Sequence, residues 1–460
     1  MKSMARRWRA WALGLASFGM LATSASAFEP LAFSVVGSGG QVVLRWIGAA
    51  SACPNVQWDE QPMQAMRLRS GEQILPAVPS VSRVVDFPVR VCELAWPQGV
   101  RKALVGAQQI LVNTRPVRRV AILADTGCRM KAAENAFQDC NDPRQWPFAR
   151  IADAAARKQP DLVLHLGDIH YRESPCPVDR AGCVGSPSGY GWSAWQADFF
   201  DPARRLLQAA PWVFVRGNHE SCSRAGQGWF RMIDAANWSS QRSCNEFALD
   251  AAADHSEPYA VPVAGGAQLI VFDSSRAVNQ TLAAKDDLYV RYRQDMEKAE
   301  KLAHQGQSVF LSHHPLLAVY QGKGGKSSRP GGNASLLSVA QGLFGDRLFP
   351  DPVDWAMHGH IHVFESLSFR SGQAASLVLG NSGSAMDVPP PTQLPKDFQV
   401  LPGAHFELEA YAGHARFGFS LLDIAEGPGQ PWVLTQYDVE GEPMLVCELT
   451  PKHSHCTVVH

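Results

Sequence analysis

The sequence predicts an α/β (α+β) fold in which a β-rich segment precedes a larger domain of strands and helices. From Val117 onward, short apolar stretches alternate with helical segments, which is typical of strands joined by helices. Residues 28–117 instead contain β-rich stretches that are separated by turn residues and lack helical period. With 460 residues, 46% of them hydrophobic, the chain has apolar material for two or three domains of ~150 residues.

The overall charge excludes a polybasic nucleic-acid-binding protein, because 42 Lys and Arg residues are balanced by 43 Asp and Glu residues. The apolar content likewise excludes a disordered chain. We therefore expect a folded protein without a nucleic-acid partner, and the sequence leaves its oligomeric state open.

The elements are predicted in the following order. In the β-rich segment, predicted strands cover 41–46 and 83–91. The later predicted strands cover 119–124, 162–166, 212–216, 268–272, 308–311, 353–357, 418–424 and 431–439. The predicted helices cover 142–158, 193–208 and 283–304, and the first begins with Asp142 and Pro143 as N-cap and N1 residues. Residues 322–333 and the proline-rich residues 388–403 are predicted loops.

The first 27 residues predict a cleaved signal peptide. A basic start (Lys2, Arg6, Arg7 and Arg9) precedes an apolar run over 10–22, and Ala25-Ser26-Ala27 matches a cleavage site. The alternative is a membrane anchor, but the run is shorter than the ~20 residues that cross a bilayer. We expect a periplasmic or secreted protein without a membrane span.

Ten cysteines fit an oxidising compartment. Pairing each cysteine with its sequence neighbour predicts five disulfides: Cys53–Cys92, Cys128–Cys140, Cys176–Cys183, Cys222–Cys244 and Cys447–Cys456. Connectivity does not follow from sequence alone, and catalytic or metal-ligating cysteine is the open alternative.

Five of the predicted strands end at runs of residues that bind metals. These runs are DTGC (125–128), GDIHY (167–171), GNHE (217–220), SHHP (312–315) and HGHIH (358–362). In an open α/β sheet, ligands bind outside the carboxyl ends of the strands, so the runs are expected to converge. Carboxylate, amide and imidazole ligands suit a pair of cations such as iron, zinc or manganese, which a shared carboxylate holds together. The pattern predicts a dinuclear metal site.

The ordered series D…GD…GNH[E/D]…H…GHxH resembles the calcineurin-like metallophosphoesterase superfamily over roughly residues 117–383. The resemblance implies a four-layer α/β/β/α sandwich over 118–460, with 28–117 as an N-terminal β-sandwich-like domain. Most members begin with DxH, but here Gly127 stands at the position of that histidine, and Tyr171 follows Asp168 by three residues. This combination resembles the purple acid phosphatase branch, in which a tyrosinate binds ferric iron.

The resemblance implies the role of each site residue. The implied Fe(III) ligands are Asp125, Asp168, Tyr171 and His362. The implied ligands of a second, divalent ion (iron, zinc or manganese) are Asp168, Asn218, His313 and His360, with His313 preferred over His314. The implied reaction is hydrolysis of a small phosphate ester by a metal-activated hydroxide, with His219 donating a hydrogen bond or proton to the leaving oxygen. Polar residues next to the ligands either contact substrate or hold a ligand in place; they are His170, Arg172, Glu173 and Glu220. Asn381 is expected to line the opening of the metal site and to contact substrate.

The resemblance is incomplete at the phosphate-binding side. Purple acid phosphatases carry further histidines soon after the HxP ligand, whereas residues 316–333 have none and offer Tyr320, Lys323, Lys326 and Arg329. A phosphodiesterase or nucleotidase with zinc or manganese instead of iron is therefore an alternative. A non-catalytic exported binding protein is a further alternative, although every implied ligand is chemically competent. If the bridges Cys128–Cys140, Cys176–Cys183 and Cys222–Cys244 form as predicted, they covalently restrain three of the loops that carry ligands.

Overall fold

The computed structural model describes residues 28–75, 85–304, 307–322, 327–395, 397–404, 406–427 and 430–459. The predicted signal peptide, Lys323 and Lys326 lie outside these ranges. Within them, no helix combines the length and the apolar character needed to cross a membrane.

The amino-terminal segment folds as short strands, as predicted. They are β1 (Leu31–Val36), β2 (Val42–Gly48), β3 (Asn55–Trp58), β4 (Gln64–Ala65), β5 (Arg67–Ser70), β6 (Gln73–Leu75), β7 (Val85–Phe87), β8 (Arg90–Ala95), β9 (Lys102–Val105) and β10 (Gln108–Leu111).

The remaining strands alternate with helices. The strands are β11 (Arg119–Leu123), β12 (Met130–Lys131), β13 (Ala136–Phe137), β14 (Leu162–His165), β15 (Trp212–Phe214), β16 (Tyr259–Pro262), β17 (Gln268–Val271), β18 (Ser308–Leu311), β19 (Val319–Gln321), β20 (Ser328–Pro330), β21 (Val353–His358), β22 (Phe364–Phe369), β23 (Ala375–Leu379), β24 (Leu408–His414), β25 (Gly418–Asp423), β26 (Trp432–Asp438), β27 (Pro443–Thr450) and β28 (His453–Val458). The helices are α1 (Phe148–Arg157), α2 (Trp192–Trp195), α3 (Arg204–Ala209), α4 (Gly226–Met232), α5 (Asp250–Ala253), α6 (Asp287–Ala303) and α7 (Ala334–Phe344). A π-helical segment, Gln196–Phe200, follows α2.

Two large sheets form the centre of the fold, and the predicted four-layer α/β/β/α sandwich is confirmed. The first sheet has the order β28-β27-β26-β25-β11-β14-β15-β1-β2-β8-β5, and the second β16-β17-β18-β21-β23-β22-β24. Apolar side chains such as Ile122 and Leu164 of the first sheet pack against Val309 and Trp355 of the second. Helices α1 and α3 cover the outer face of the first sheet, and α6 and α7 cover that of the second.

The amino-terminal strands form a β sandwich that shares one layer with the first sheet. Strand β1 pairs in parallel with β15 at Val35 and Trp212, and β2, β8 and β5 continue the same sheet. A smaller sheet, β10-β9-β3-β4, packs on this extension through a core that contains Trp46, Trp58 and Ile110. The boundary at residue 117 remains a prediction, because the first sheet runs through both segments.

Most predicted strands end within two residues of the observed ends, but the first two helices differ from their predicted bounds. The helix predicted over 142–158 begins only at Phe148, because Trp146 precedes Pro147 and a residue before proline avoids helical geometry. The helix predicted over 193–208 is divided into α2, the π-helical segment and α3, and Asp201, which precedes Pro202, keeps helical geometry with φ −73° and ψ −52°. Helix α7, which Asn333 caps through the backbone N–H of Leu336, was not predicted.

Candidate dinuclear metal centre

The predicted ligands lie on loops at the carboxyl ends of adjacent strands. Asp125, Asp168 and Asn218 follow β11, β14 and β15, which are neighbours in the first sheet. His313 and His360 follow β18 and β21, which are neighbours in the second sheet. The structure thereby brings polar groups from distant parts of the chain to one edge of the sandwich.

Tyr171 lies at the centre of the first group of ligands. Its Oη is 2.8 Å from Asp125 Oδ1, 3.1 Å from Asp168 Oδ2 and 2.9 Å from His362 Nε2. His362 donates its Nδ1–H to the Ala385 carbonyl oxygen at 2.7 Å, which leaves Nε2 with its lone pair facing this group. All four predicted Fe(III) ligands therefore converge around one buried point.

The second group is built around Asp168, His313 and His360, whose ligand atoms lie within 4.8 Å of one another. His313 donates its Nδ1–H to the Leu166 carbonyl oxygen at 2.9 Å, and its Nε2, 3.1 Å from Asp168 Oδ2, has no hydrogen-bond partner. Asn218 Oδ1 is also buried without a donor. Buried polar atoms are rarely left unpaired, so these atoms fit a second cation. His313, and not His314, faces the shared carboxylate.

The ligand loops have unusual backbone geometry. Asp125, Asp168 and His360 have φ values of 55°, 54° and 72°, in the left-handed region that few residues other than glycine adopt. Such strain persists where the surroundings fix it, and it is concentrated at functional sites. Gly217 allows a close approach, because a Cβ there would lie 2.2 Å from Asp168 Oδ1.

The chemistry of the buried groups is compatible with bound cations. Burial raises the pKa of the Tyr171 phenol well above its usual value, and the nearby carboxylates of Asp125 and Asp168 raise this pKa further. Beside these anions the phenol stays protonated unless a positive charge compensates them. Two carboxylates, a phenol, an amide and imidazoles together match the donor set of a pair of hard to borderline cations.

Gly127 has no room for the histidine found in the DxH motif. A Cβ at this position would lie 2.4 Å from the Ile169 carbonyl oxygen and 2.9 Å from the Tyr171 backbone nitrogen. The loop that carries Tyr171 thus occupies the space that a side chain at residue 127 would need. A side chain at residue 127 is therefore excluded by the backbone of this loop.

His219 lies beside both groups of ligands. Its Nδ1 is 2.7 Å from the His170 carbonyl oxygen and 3.1 Å from Glu173 Oε1, and its Nε2 is 3.6 Å from Asp168 Oδ2. Its ring centroid is 3.9 Å from that of Tyr171. The imidazole is therefore held by Nδ1, with Nε2 directed to the shared carboxylate.

The structure corrects the predicted substrate contact of Glu220. Its carboxylate is fully buried and accepts the backbone N–H groups of Asp168, Ile169 and His170 at 3.0, 2.8 and 3.1 Å. It also accepts the N–H of Gly217 at 3.2 Å. Glu220 thus fixes the loop that presents Asp168, which is the alternative role considered for it.

The side chains of three other predicted substrate contacts are buried. Arg172 pairs with Asp198 at 2.7 Å, and Asn381 donates its amide N–H to the Arg416 carbonyl oxygen at 2.8 Å. His170 is fully buried between two aromatic rings. For these three residues, contact with substrate stays a prediction.

Asp198 is a site residue that sequence reasoning missed. From the π-helical segment, its buried carboxylate accepts the N–H of Tyr171 at 2.7 Å and the N–H of Cys128 at 3.0 Å. Single π-helical turns often occur at functional sites. In the sequence, an isolated aspartate before Phe199 and Phe200 gives no signal of this role.

All five predicted disulfides are present, and no cysteine is free. The alternative of catalytic or ligating cysteine is therefore wrong. Five disulfides are typical of an exported protein.

A cavity of approximately 490 Å³ opens over the second group of ligands. Asn218 and His360 belong to its lining. The other lining residues are Ala277, Asn279, His314, Tyr320, Arg329, Pro330, Gly331, Gly332, Asn333, Ile361 and Asp387.

Comparisons with known proteins agree with this architecture. Among solved structures, the chain is similar to the structure of PhoD, with a TM-score of 0.52 and 11% identity over 94% of this chain and 92% of that one. A weaker likeness is found to GAP50, the anchor in the inner membrane complex of Plasmodium (TM-score 0.39, 13% identity, 74% of this chain and 90% of that one). Another is to the 5'-nucleotidase precursor from Thermus thermophilus (TM-score 0.30, 12% identity, 74% of this chain and 55% of that one). No curated protein sequence matches the chain.

The family comparison is specific. The profile of calcineurin-like phosphoesterases matches residues 118–364, which is more than half of the chain and contains every predicted metal ligand. Members of this family are metal-dependent phosphoester hydrolases that generally bind two metal ions. The chain belongs to the calcineurin-like phosphoesterase family.

Proposed function

We propose that this protein is an exported, purple acid phosphatase-like enzyme that hydrolyses small phosphate esters. The observation that carries the proposal is the contact of Tyr171 Oη with Asp125, Asp168 and His362, next to a Gly127 that cannot bear a side chain. A phenolate is a hard anionic ligand, and it favours a trivalent cation. The proposed Fe(III) ligands are Asp125, Asp168, Tyr171 and His362. The proposed ligands of a divalent iron, zinc or manganese ion are Asp168, Asn218, His313 and His360.

The chain's own groups support this chemistry. When bound, the two cations would lower the pKa of a water molecule and neutralise charge on the phosphoryl group. His219 already has a proton on Nδ1, which faces the His170 carbonyl oxygen, so it would donate a second proton from Nε2 toward the leaving oxygen only as the imidazolium. Glu220 and Asp198 keep the loops of Asp168 and Tyr171 in place through their backbone N–H groups.

The proposed location is the periplasm or the extracellular medium. The five disulfides support it, as does the predicted signal peptide over residues 1–27.

The test is a visible absorption spectrum of the exported protein together with its elemental metal content. We expect a broad tyrosinate-to-iron charge-transfer band that disappears in Tyr171→Phe. The matched control is Tyr292→Phe, which removes the hydroxyl of another buried tyrosine, on helix α6 and outside both groups of ligands. This control should retain the band.

A colourless protein would contradict the iron assignment. If such a protein held two zinc or manganese ions, a phosphodiesterase or nucleotidase would replace the proposed function, and Tyr171 would be a packing residue. Hydrolysis of aryl phosphate monoesters and diesters, measured in parallel, would separate the two reaction classes. A metal-loaded protein that hydrolysed neither would favour a non-catalytic binding role.

A further inference from the structure

The active-site cavity has one permanent positive charge among the described residues of its lining, the guanidinium of Arg329. The only carboxylate of this lining is that of Asp387, whose Oδ2 accepts the backbone N–H of His362 at 2.9 Å. Arg329 is therefore the side-chain cation that a phosphate ester in this cavity would meet, and the same lining contains the proposed metal ligands Asn218 and His360.

Arg329 is held in place by the β19–β20 hairpin. It pairs across the hairpin with Tyr320, and its guanidinium carbon lies 4.6 Å from the centroid of the Tyr320 ring. Such cation–π contacts restrict a guanidinium without neutralising it. The base of the hairpin is fixed, because Val319 is buried and donates its backbone N–H to Glu365 Oε2 at 2.9 Å.

We propose that Arg329 binds the phosphoryl oxygens of the substrate, that Tyr320 positions Arg329, and that this pair selects small phosphate monoesters over diesters. The inference rests on the proposed function of the same site. A monoester carries about −1.5 to −2 charge at pH 7, whereas a diester has a single ionisable oxygen, so an added cation favours the monoester. A guanidinium also matches two phosphoryl oxygens at once. The cavity volume of approximately 490 Å³ lies in the range of small-molecule sites.

The experiment compares metal-loaded wild type with Arg329→Ala and Arg329→Lys. The kinetic substrates are 4-nitrophenyl phosphate and bis(4-nitrophenyl) phosphate, and the affinity for inorganic phosphate is measured by calorimetry. In Arg329→Ala, we expect KM for the monoester and Kd for phosphate to rise roughly 10- to 100-fold, with kcat and metal content close to wild type. KM for the diester should rise several-fold less than KM for the monoester. Arg329→Lys should give intermediate values of KM and Kd, because lysine keeps the positive charge but lacks the paired N–H donors of a guanidinium.

Variants of Tyr320 test the positioning role. Tyr320→Phe keeps the ring and should bind phosphate like wild type, whereas Tyr320→Leu should weaken phosphate binding about 2- to 5-fold. The matched control is Arg370→Ala, which removes an exposed arginine that pairs with Glu407 outside the cavity. This control should leave every parameter unchanged.

The inference would be overturned by unchanged phosphate affinity in Arg329→Ala, or by equal losses for the monoester and the diester. A loss of metal in Arg329→Ala would also contradict it, because the proposed contact is with substrate alone. Failure of the proposed function is seen separately, as a wild type that hydrolyses neither ester or lacks the iron band. Even in that case, the phosphate affinities of wild type and Arg329→Ala decide whether Arg329 binds the anion.

Discussion

The bridge Cys222–Cys244 provides a direct test of how covalent links support the metal centre. Cys222 follows His219 by three residues and Asn218 by four, so the bridge ties the loop that carries both. Cys222 also donates its backbone N–H to the buried carboxylate of Asp254 at 3.0 Å. Replacing both cysteines by alanine removes the covalent link and leaves this hydrogen bond available.

The size of the effect follows from the length of the closed loop. The bridge spans 22 residues, for which the chain-entropy relation gives a loss of about 3 kcal/mol in the free energy of unfolding. The bridge Cys447–Cys456 spans nine residues in β27 and β28, far along the chain from the site, and the same relation again gives about 3 kcal/mol. The two double variants should therefore lose similar stability. Only the first should lose metal affinity, by roughly 10- to 100-fold, because it loosens groups that support ligands.

The assay measures metal content after equilibration against a buffered series of free metal concentrations, with urea unfolding of the same samples. Metal binding by both variants is compared in buffer without urea, at a pH and temperature where each variant remains folded. Unchanged metal affinity in a destabilised Cys222/Cys244 double variant would refute the preorganisation argument. Equal metal loss in both double variants would refute it as well, since it would reflect global stability.

Three further predictions concern groups around the site. Burial raises the pKa of Glu365 to about 8, so the free energy of unfolding of wild type should fall as the pH rises from about 4.5 to about 8. Glu365→Gln should remove this pH dependence and should exceed wild type in stability by up to about 5 kcal/mol near pH 8. Urea unfolding across this pH range measures the effect, and parallel pH profiles of the two proteins would contradict the prediction. Gly127→Ala places a Cβ 2.4 Å from the Ile169 carbonyl oxygen, so it should lower the free energy of unfolding by about 1–3 kcal/mol and weaken the Tyr171-dependent absorption band. An unchanged spectrum at full metal load would contradict the steric argument. Asp198→Asn leaves the buried guanidinium of Arg172 without its carboxylate partner, so the free energy of unfolding, measured with denaturant, should fall by about 3–5 kcal/mol. A loss below about 1 kcal/mol would show that the Arg172–Asp198 pair is dispensable for stability.

The strands next to the site could be predicted because their local signal is strong. Strands β11, β14 and β18 are buried on both faces, so each reads as a short apolar run that stops where a polar ligand begins. Since parallel strands in one sheet present their carboxyl ends on the same side, the meeting of Asp125 and Asp168 followed from sequence order, whereas the approach of His313 depends on how the second sheet packs on the first.

Other features depend on contacts that no local pattern records. The pairing of β1 with β15 joins residues far apart in the chain, and a short β-rich run does not specify its partner. The buried roles of Glu220 and Asp198 depend on which backbone N–H groups the fold brings to their carboxylates. Adjacency to a ligand therefore identified important residues, but it could not separate contact with substrate from support of a loop.

The layer shared by the two segments has a consequence for the order of folding during synthesis. Strand β1 is made early, but its parallel neighbour β15 follows only after the whole intervening chain. Until then, β1 and β2 present a free sheet edge, together with Phe33 and Val35, which later pack with Trp212. Free edges of this kind recruit other strands. A newly made chain should therefore need protection from self-association until Trp212 has been added, and a chain shortened to begin at residue 118 should aggregate through the exposed edge of β15.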